Sequence, residues 1–497
     1  MLRVTFAASL VIFAALPAFA QNPPAAVRFL QQATWGPTPP SVAQLQQTGF
    51  ANWIAGQFAL PSSALPDPSP DEKNLHLVQQ AFFLNAINGN DQLRQRVAWA
   101  LSELWVISGV QDHKPIWFTP YYRTLLADAF GNYRALMEDI TLNPGMGRYL
   151  NMVNNDAGPG LTPNENYARE LMQLFNLGTI RLNIDGTPML DPNGHPIAPY
   201  DQSTVVSFSR VFTGWTYPPK PNWVGPMVAK NANHDTGQKS LLNGVVLPAK
   251  QTAQKDLDDA LDNIFEDPNV PPFVSRQLIQ HLVMSNPSPA YVQRVALAFE
   301  NNGSGVRGDL KAVITAILMD VEARQGDDPA SAVSPTAGHL TEPILFLTRL
   351  YRALNATVTA DTRGAALSDA LGQRVFYPPS VFSYFSPQYH LTGTPLLAPE
   401  FQIYSPATAV ARANIAAGLI GGYSDKTTQF DFSAYMPVAS FTWQLVGALN
   451  LGMLHGAMSP GLEKAVTAAI DASTDNAKRI KTAITLIAAS PEFSIQQ

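Results

Sequence analysis

The chain has 497 residues, a formal net charge of −6 and only 14% charged residues, and it contains no cysteine. A weakly acidic chain lacks the basic surface that holds nucleic acid, so we expect no nucleic-acid partner. The lack of cysteine excludes disulfides, thiol catalysis and thiolate metal sites.

The N-terminus has the pattern of a secretory signal peptide. Arg3 precedes an apolar run over residues 4–16, Pro17 follows, and Ala18-Phe19-Ala20 supplies the small residues of a cleavage site. We therefore predict that residues 1–20 are a signal peptide cleaved after Ala20 and that the protein is periplasmic or extracellular. A membrane span needs about 20 apolar residues, and no later run reaches that length, so no membrane contact is expected after cleavage.

Helical periodicity dominates the chain after residue 20. In the segment that starts at Asp91, apolar residues recur at 93, 97, 101, 104 and 105, which is the spacing of a core helix. The polar residues Gln92, Arg94, Gln95 and Glu103 are assigned to the opposite side. Further helices are predicted near 119–130, 133–142, 145–153, 254–265, 272–284, 288–301, 307–319, 339–355, 400–420, 440–455, 460–471 and 475–489.

The middle of the chain, residues 179–250, has a different pattern. The Asp185-Gly186 and Asn193-Gly194 steps are strong hairpin signals between short β-like runs. We predict a mainly α fold: one large multi-helical globular domain over 21–497, in which a small β-hairpin excursion (179–250) interrupts a helical body (25–178 and 251–497).

The stretch Thr162–Gly178, TPNENYARELMQLFNLG, combines a dense set of polar groups with an apolar stripe. Thr162, a proline and Glu165 fit a capping box, and Gly178 fits the position that ends a helix, so a helix is predicted from about 163 to 177. Glu165 and Arg169 are four residues apart and can pair on one face.

This helix can be interpreted as a purely structural element or as part of an active site, and both interpretations remain open. Glu165 is explained by the capping box alone, whereas Glu170, beside the apolar stripe, is not. Asn166, Glu170 and Gln173 share a neighbouring face. A buried Glu170 would have a raised pKa and could act as a general acid.

A second cluster lies in the middle region. His234, Asp235 and Lys239 place an imidazole, a carboxylate and an ammonium on one glycine-containing loop, which can bind an anion, a metal or a polar substrate. Trp215, with Tyr217 and Trp223, could form a sugar-stacking platform, although such aromatic residues more often belong to the core.

A third cluster, residues 371–380 together with 399–402, could wall a pocket, but a scaffold role is favoured. His281 is interpreted as a structural histidine with a satisfied ring. Known metal, nucleotide and serine-hydrolase motifs are absent and no histidines are four residues apart, so no metal and no cofactor are predicted.

The order of motifs resembles that of the bacterial family catalogued as domain of unknown function 1800. The similar segments are 28–37, 93–97, 131–134, 143–150, 164–174, 212–215, 234–239, 371–379 and 490–493. The resemblance implies one large, exported family domain. It also implies a possible exported partner of the domain of unknown function 1501 family, which resembles phosphatase- and sulfatase-type enzymes. A histidine-bearing run of some family members is replaced here by residues 99–105.

The favoured hypothesis is a carboxylate-dependent hydrolase acting on a carbohydrate-like substrate. In it, Glu170 is the acid and Asp235 the base or nucleophile. The substrate-binding residues are Glu165, Asn166, Arg169, Trp215, His234 and Lys239. The alternative is a non-catalytic binding or assembly module that serves an exported partner enzyme. A weaker third hypothesis places a metal ion between Asp235, Glu170 and asparagine carbonyls.

Overall fold

The computed structural model describes residues 22–111, 114–220, 224–360, 363–422 and 427–497. The predicted signal peptide and its cleavage site lie outside these ranges, and secretion stays a prediction.

The fold is mainly α, as predicted. The first half contains the helices α1 (Pro23–Ala33), α2 (Pro39–Thr48), α3 (Phe50–Ala59), α4 (His76–Asn88), α5 (Gln92–Leu104), α6 (Pro115–Asp128), α7 (Tyr133–Thr141), α8 (Pro144–Tyr149), α9 (Asn166–Glu170) and α10 (Gln202–Val211). The second half contains α11 (Ala253–Phe265), α12 (Val270–Leu282), α13 (Pro289–Glu300), α14 (Leu310–Met319), α15 (Pro343–Ala353), α16 (Gly364–Ala370), α17 (Pro406–Gly421), α18 (Thr442–Leu454), α19 (Pro460–Asp471), α20 (Asn476–Ala488) and α21 (Pro491–Ser494).

Serine–proline pairs begin many of these helices. Ser288, Ser405, Ser459 and Ser490 each cap a helix by accepting a hydrogen bond from a backbone N–H of its first turn, and a proline follows each serine. Proline is tolerated there because the first helical residues have no intrahelical partner for their N–H groups. Many of the prolines therefore mark where helices start.

Among the described residues, the β-structure consists of short antiparallel pairs and a few isolated bridges. The pairs are β1 (Trp215–Thr216) with β2 (Val228–Ala229), β3 (Lys239–Ser240) with β4 (Val246–Leu247), β5 (His339–Leu340) with β8 (Ile495–Gln496), and β6 (Thr357–Val358) with β7 (Thr428–Gln429). Both predicted turns form, and Gly186 and Gly194 have the positive φ angles that these turns require. Helix α10 also lies within residues 179–250.

Helix α5 is surrounded by neighbours, which corrects the polar side predicted for it. Gln92, Gln95 and Glu103 are buried. Arg94 is half-buried and donates to the carbonyl oxygen of Leu126. Contacts with α3, α4, α6 and α12 leave the helix no solvent face. Its polar residues are therefore held inside the molecule by specific partners.

The buried apolar side chains form two clusters. The larger cluster takes most of its side chains from the first 323 residues, including those of α5, and the smaller one is built mainly from α15 and the helices α17 to α20. The single-domain organisation stays a prediction. Within the described ranges, we find no helix with the length and apolar character needed to cross a membrane.

The pairing of β8 with β5 depends on Gly338, which has a φ angle of +81°. A β-carbon at this position would overlap the carbonyl oxygen of Gln496. We expect Gly338→Ala to lower the free energy of unfolding by about 2–3 kcal/mol, because backbone strain adds to the overlap. Gly393→Ala is the matched control: its φ is +82° and nothing lies within 4 Å of the added carbon. It should cost only about 1 kcal/mol, from strain alone. Urea unfolding measures both, and equal losses would contradict the overlap.

Candidate functional site

The helix predicted over 163–177 begins later and changes its pitch. Thr162 does not cap it: the side chain of Asn164 accepts the N–H of Asn166 at 2.9 Å, and α9 starts there. The capping box is therefore wrong, because an asparagine turn competes with it at this position. A π-helix over Leu171–Asn176 follows α9, and Gly178 ends the segment with a φ angle of +76°, as predicted.

Glu165 and Arg169 form the predicted ion pair, with 2.7 Å between Oε2 and Nη2. Gln202 also donates to this carboxylate, while Asn166 donates to the side chain of Asn151. Both members of the pair are about one-third exposed. Exposed pairs of this kind contribute little to stability and are common on helices.

Glu170 is half-buried, and burial raises the pKa of its carboxyl above the usual range, although nearby Arg169 opposes the shift. Among the described residues, no hydrogen bond or ion pair reaches the carboxylate. Its neighbours include Tyr149 and Tyr200. The catalytic role of Glu170 stays a prediction.

His234 and Lys239 meet at a buried carboxylate that sequence analysis did not single out. Asp256 Oδ2 lies 2.9 Å from Nε2 of His234 and 2.6 Å from Nζ of Lys239. The other ring nitrogen of His234 contacts the carbonyl oxygen of Thr213 at 3.0 Å. Both side chains are thus fully engaged within the protein.

Asp235 is held in the same network. Arg210 donates two hydrogen bonds of 2.9 Å to its carboxylate, and the N–H of Gly237 donates a third. Burial opposes the charge, but these donors and Lys239 lower the pKa of Asp235 to about 2. A carboxylate so strongly stabilised is a weak base at neutral pH. The arrangement favours a structural role over the predicted catalytic one.

Trp215 does not contribute to the sugar-stacking platform that was one interpretation of its cluster. Trp215 belongs to β1 and is only 2% exposed, so it packs in the core. Tyr217 stacks on Trp117 with 4.8 Å between ring centroids. Trp223 lies outside the described residues.

The predicted site residues therefore form separate groups. Within the described part of the chain, no direct hydrogen bond or ion pair joins the Glu165–Arg169 pair to the Arg210–Asp235–Asp256 network. None of the eight predicted side chains lines the pocket described next.

A pocket of about 560 Å³ opens between the π-helix, α12 and the segment 381–388. Gln173 and Gly178 belong to its wall, so the far end of the opening helix does reach a cavity. The rest of the wall combines aromatic rings with side-chain amides: Phe273, Phe382, Phe385, Gln277, Gln280 and Gln388. Residues 381–388 thus form part of a pocket wall. The sequence analysis had considered this role for the neighbouring third cluster, residues 371–380 with 399–402.

Glu103 and His281 meet at the wall of this pocket. Oε2 of Glu103 lies 3.2 Å from Nδ1 of His281, and the two side chains are 1% and 11% exposed. The C-terminal turns of α5 and α12 bring the two residues together. Among the described residues, neither ring nitrogen of His281 has a hydrogen-bond partner, and Oε2 of Glu103 also has none, so the 3.2 Å approach is a close contact without hydrogen-bond geometry. The ring is therefore not satisfied as the sequence analysis had assumed.

A second carboxyl lies behind the pair. Glu342 accepts the indole N–H of Trp99 at 3.1 Å and an amide N–H of Gln373. The same amide nitrogen of Gln373 lies 3.5 Å from Glu103 Oε1. The fully buried Arg96 lies 3.9 Å from Glu342 Oε1 and donates to the backbone carbonyl of His281. One guanidinium thus faces two carboxyls.

Burial controls protonation here. It raises the pKa of both Glu103 and Glu342 to about 8, although Arg96 opposes the shift. Burial also lowers the pKa of His281 to about 4. Because Arg96 stabilises one negative charge and burial disfavours a second, the two carboxyls keep at least one proton at neutral pH. The imidazole is neutral.

Arg276 adds a cation to the pocket wall. Within the described ranges it has neither an ion pair nor a side-chain hydrogen bond, and burial lowers its pKa from an ordinary value that is far above neutrality. It is therefore available to a ligand. No three histidine, aspartate or glutamate side chains of the described residues are arranged to hold a metal ion.

Sequence reasoning missed this site for a physical reason. Glu103 looked like a polar-face residue of an amphipathic helix, and His281 like a core histidine. The available signal was the polar content of α5, where Gln92, Gln95 and Glu103 interrupt a segment that tertiary contacts cover on every side.

Asp235→Asn tests the structural role of the Asp235 network. The change removes the charge that Arg210 binds, and we expect the unfolding free energy to fall by about 1–3 kcal/mol, because the pair is partly exposed. Asp71→Asn is the control and should change stability little, because its exposed carboxylate makes no hydrogen bond or ion pair among the described residues. Similar values for both variants in urea unfolding would contradict the assignment.

The carboxyl pair should make stability depend on pH. The folded protein keeps protons that the unfolded chain releases, so the unfolding free energy falls as pH rises from 4.5 toward about 8. His281 acts in the opposite direction, but only below its ordinary pKa of 6.5. Between pH 6.5 and about 8, each proton that the folded protein retains makes the unfolding free energy fall by about 1.4 kcal/mol per pH unit.

Glu342→Gln removes the carboxyl that interacts most strongly with Arg96, which favours ionisation of Glu103, although Glu400 remains nearby. As pH rises from 6.5 to 8, we expect the unfolding free energy of both proteins to fall. The fall should be smaller in the variant than in the wild type, by at least about 1 kcal/mol. Urea unfolding at both pH values measures the difference. Identical pH dependence in the two proteins would show that the pair holds no extra proton.

Comparisons with known proteins agree with the resemblance seen in the sequence. A family model described as a protein of unknown function, DUF1800, matches residues 28–495. No curated protein and no solved structure matches the chain. Since the family match covers nearly the whole sequence, the protein belongs to the DUF1800 family of proteins of unknown function.

Proposed function

We propose that the protein is a hydrolase whose active site is the pocket at Glu103 and His281. The observation that supports this most directly is the 3.2 Å contact between a carboxyl and an imidazole at the wall of an open cavity. An acid and a base whose environments move their pKa values in opposite directions are typical of acid–base catalysis.

The pair can deliver a proton without a net charge on the ring. When the protonated carboxyl of Glu103 turns to donate to Nδ1, 3.2 Å away, the ring proton of neutral His281 lies on Nε2. Nε2 then gives this proton to the leaving-group oxygen, while Nδ1 takes the proton of Glu103. Arg96 stabilises the carboxylate that remains. Water adds to the scissile centre and gives its proton to Nε2, while Nδ1 returns its proton to Glu103.

The pocket wall favours a carbohydrate-like substrate. Aromatic rings such as Phe273 and Phe385 offer apolar faces, and the glutamine amides can bind hydroxyl groups. Arg276 can bind an acidic substituent or stabilise negative charge that develops during cleavage. The proposal keeps the reaction class expected from sequence and assigns it to Glu103 and His281 in place of Glu170 and Asp235.

One observation favours a second function, a non-catalytic binding or assembly module. Glu103 is only 1% exposed, and Glu342, Gln373 and Arg96 surround it, as they would in a polar network that stabilises a core. In that case the protein would serve an exported partner enzyme, for which the domain of unknown function 1501 family remains the candidate. Export itself is part of both proposals.

The two functions separate in a variant series assayed on bacterial cell-wall and extracellular glycans. We expect reducing ends to be released by the wild type, and Glu103→Gln and His281→Gln to lower the rate by about 10²- to 10⁴-fold, the usual contribution of a general acid or base. Glu300→Gln, an exposed change at the end of α13, is the matched control and should keep full activity. Thermal unfolding confirms that each variant is folded.

Full activity of a folded Glu103→Gln variant would refute the assignment. Loss of activity in Glu170→Gln alone would favour the residue predicted from sequence. If the wild type cleaves none of the glycans and a co-purified exported partner is retained by Glu103→Gln, the assembly function is supported.

A further inference from the structure

A second cavity, of about 320 Å³, lies between α2, the connection from α4 to α5, and the end of α15. Its wall consists largely of hydroxyl and amide groups. Among the described residues, the wall includes no aspartate or glutamate, and Arg352 is its one charged residue. The volume is at the small end of the range for ligand pockets, which is about 300–1,000 Å³.

Arg352 is only 6% exposed and uses part of its guanidinium to hold the fold. Nε donates to the carbonyl oxygen of Gly36 and Nη1 to that of Ile87, both at 2.6 Å. Among the described residues, no group accepts a hydrogen bond from Nη2, and no carboxylate pairs with Arg352. Nη2 is unpaired but not completely buried, so it is open to the cavity that Arg352 lines.

The charge of this arginine is not neutralised by the protein. Burial lowers its pKa to about 9, which still leaves the guanidinium protonated at neutral pH. A buried cation without a counter-ion is costly, and an anion in the adjacent cavity would relieve that cost. Backbone carbonyls compensate only part of the charge.

Other donors face the same cavity. The side-chain amides of Gln44 and Asn90 line it and have no hydrogen-bond partners among the described residues. Asn355 lies at the exposed rim, where its amide is 3.5 Å from Asp431. Asp91 lies in the chain between the wall residues Asn90 and Gln92, but its buried carboxylate accepts hydrogen bonds from Ser63 and Gln95 and does not pair with Arg352. The free amides near Arg352 therefore offer N–H donors to an anion and carbonyl acceptors to hydroxyl groups.

We propose that this cavity is a binding site for a small, hydroxylated oxyanion, whose negatively charged oxygen accepts from Nη2 of Arg352 and whose hydroxyl groups bind the amides of Gln44 and Asn90. The site is separate from the proposed active site. Helix α5 begins at this cavity with Gln92 and reaches the other pocket with Glu103, a distance of roughly 16 Å at 1.5 Å per residue. The inference does not depend on the proposed hydrolase activity.

The test titrates the mature protein with inorganic phosphate, D-glucuronate and D-glucose in isothermal titration calorimetry at low salt. We expect saturable binding of at least one anion and none of glucose, with affinity that falls as salt is added. Binding of phosphate alone would identify a phosphate-bearing ligand, and binding of glucuronate alone would identify a sugar carboxylate.

Two variants that each introduce a negative charge locate the bound anion, since Arg276 in the first pocket could also hold one. Gln44→Glu and Asn90→Asp place a carboxylate in the second cavity at exposed positions, so the fold should tolerate them. Each should weaken anion binding at least tenfold. Gln47→Glu, also exposed on α2 but outside the wall, is the matched control and should bind as the wild type does.

The proposal fails if neither anion binds, if glucose binds as well as glucuronate, or if the two cavity variants retain wild-type affinity. The titrations are repeated with Arg276→Gln, which should bind the anion as the wild type does. Loss of binding in this variant alone would place the anion in the first pocket and overturn the assignment.

Discussion

Arg96 lies in the middle of α5 with none of its surface exposed, and a buried guanidinium requires partners for its charge and its N–H groups. Glu342 and Glu103 supply the charge, and the backbone carbonyl of His281 accepts one hydrogen bond. These partners come from α5, α12 and the segment before α15. The ionic cluster thus ties together elements that are far apart in the chain.

The same constraint determines the chemistry of the pocket. Two buried carboxyls near one guanidinium cannot both ionise at neutral pH without cost. A proton therefore stays on the pair, next to an imidazole that burial keeps neutral. The cluster that stabilises the core thus also produces an acid at the wall of a cavity.

Elsewhere in the structure, buried charged side chains have different partners. The network of Asp235, Asp256, His234 and Lys239 combines opposite charges and leaves few groups free. Arg349 and Arg352 bind backbone carbonyls instead of carboxylates. This contrast separates residues that hold the fold from those with capacity left for a ligand, and it explains why the eight residues chosen from sequence patterns differ from those that line cavities.

Several local features followed from the sequence alone. Apolar periodicity, proline positions and glycine turns predicted most helices and both hairpin turns, because these depend on neighbours a few residues away. The order of motifs identified the family, and spacing predicted the Glu165–Arg169 pair. The polar environment of α5 was decided only by the tertiary structure, because spacing within one helix does not show which other helices cover it. The contact between Glu103 and His281, 178 positions apart, likewise arises only when α5 and α12 pack together.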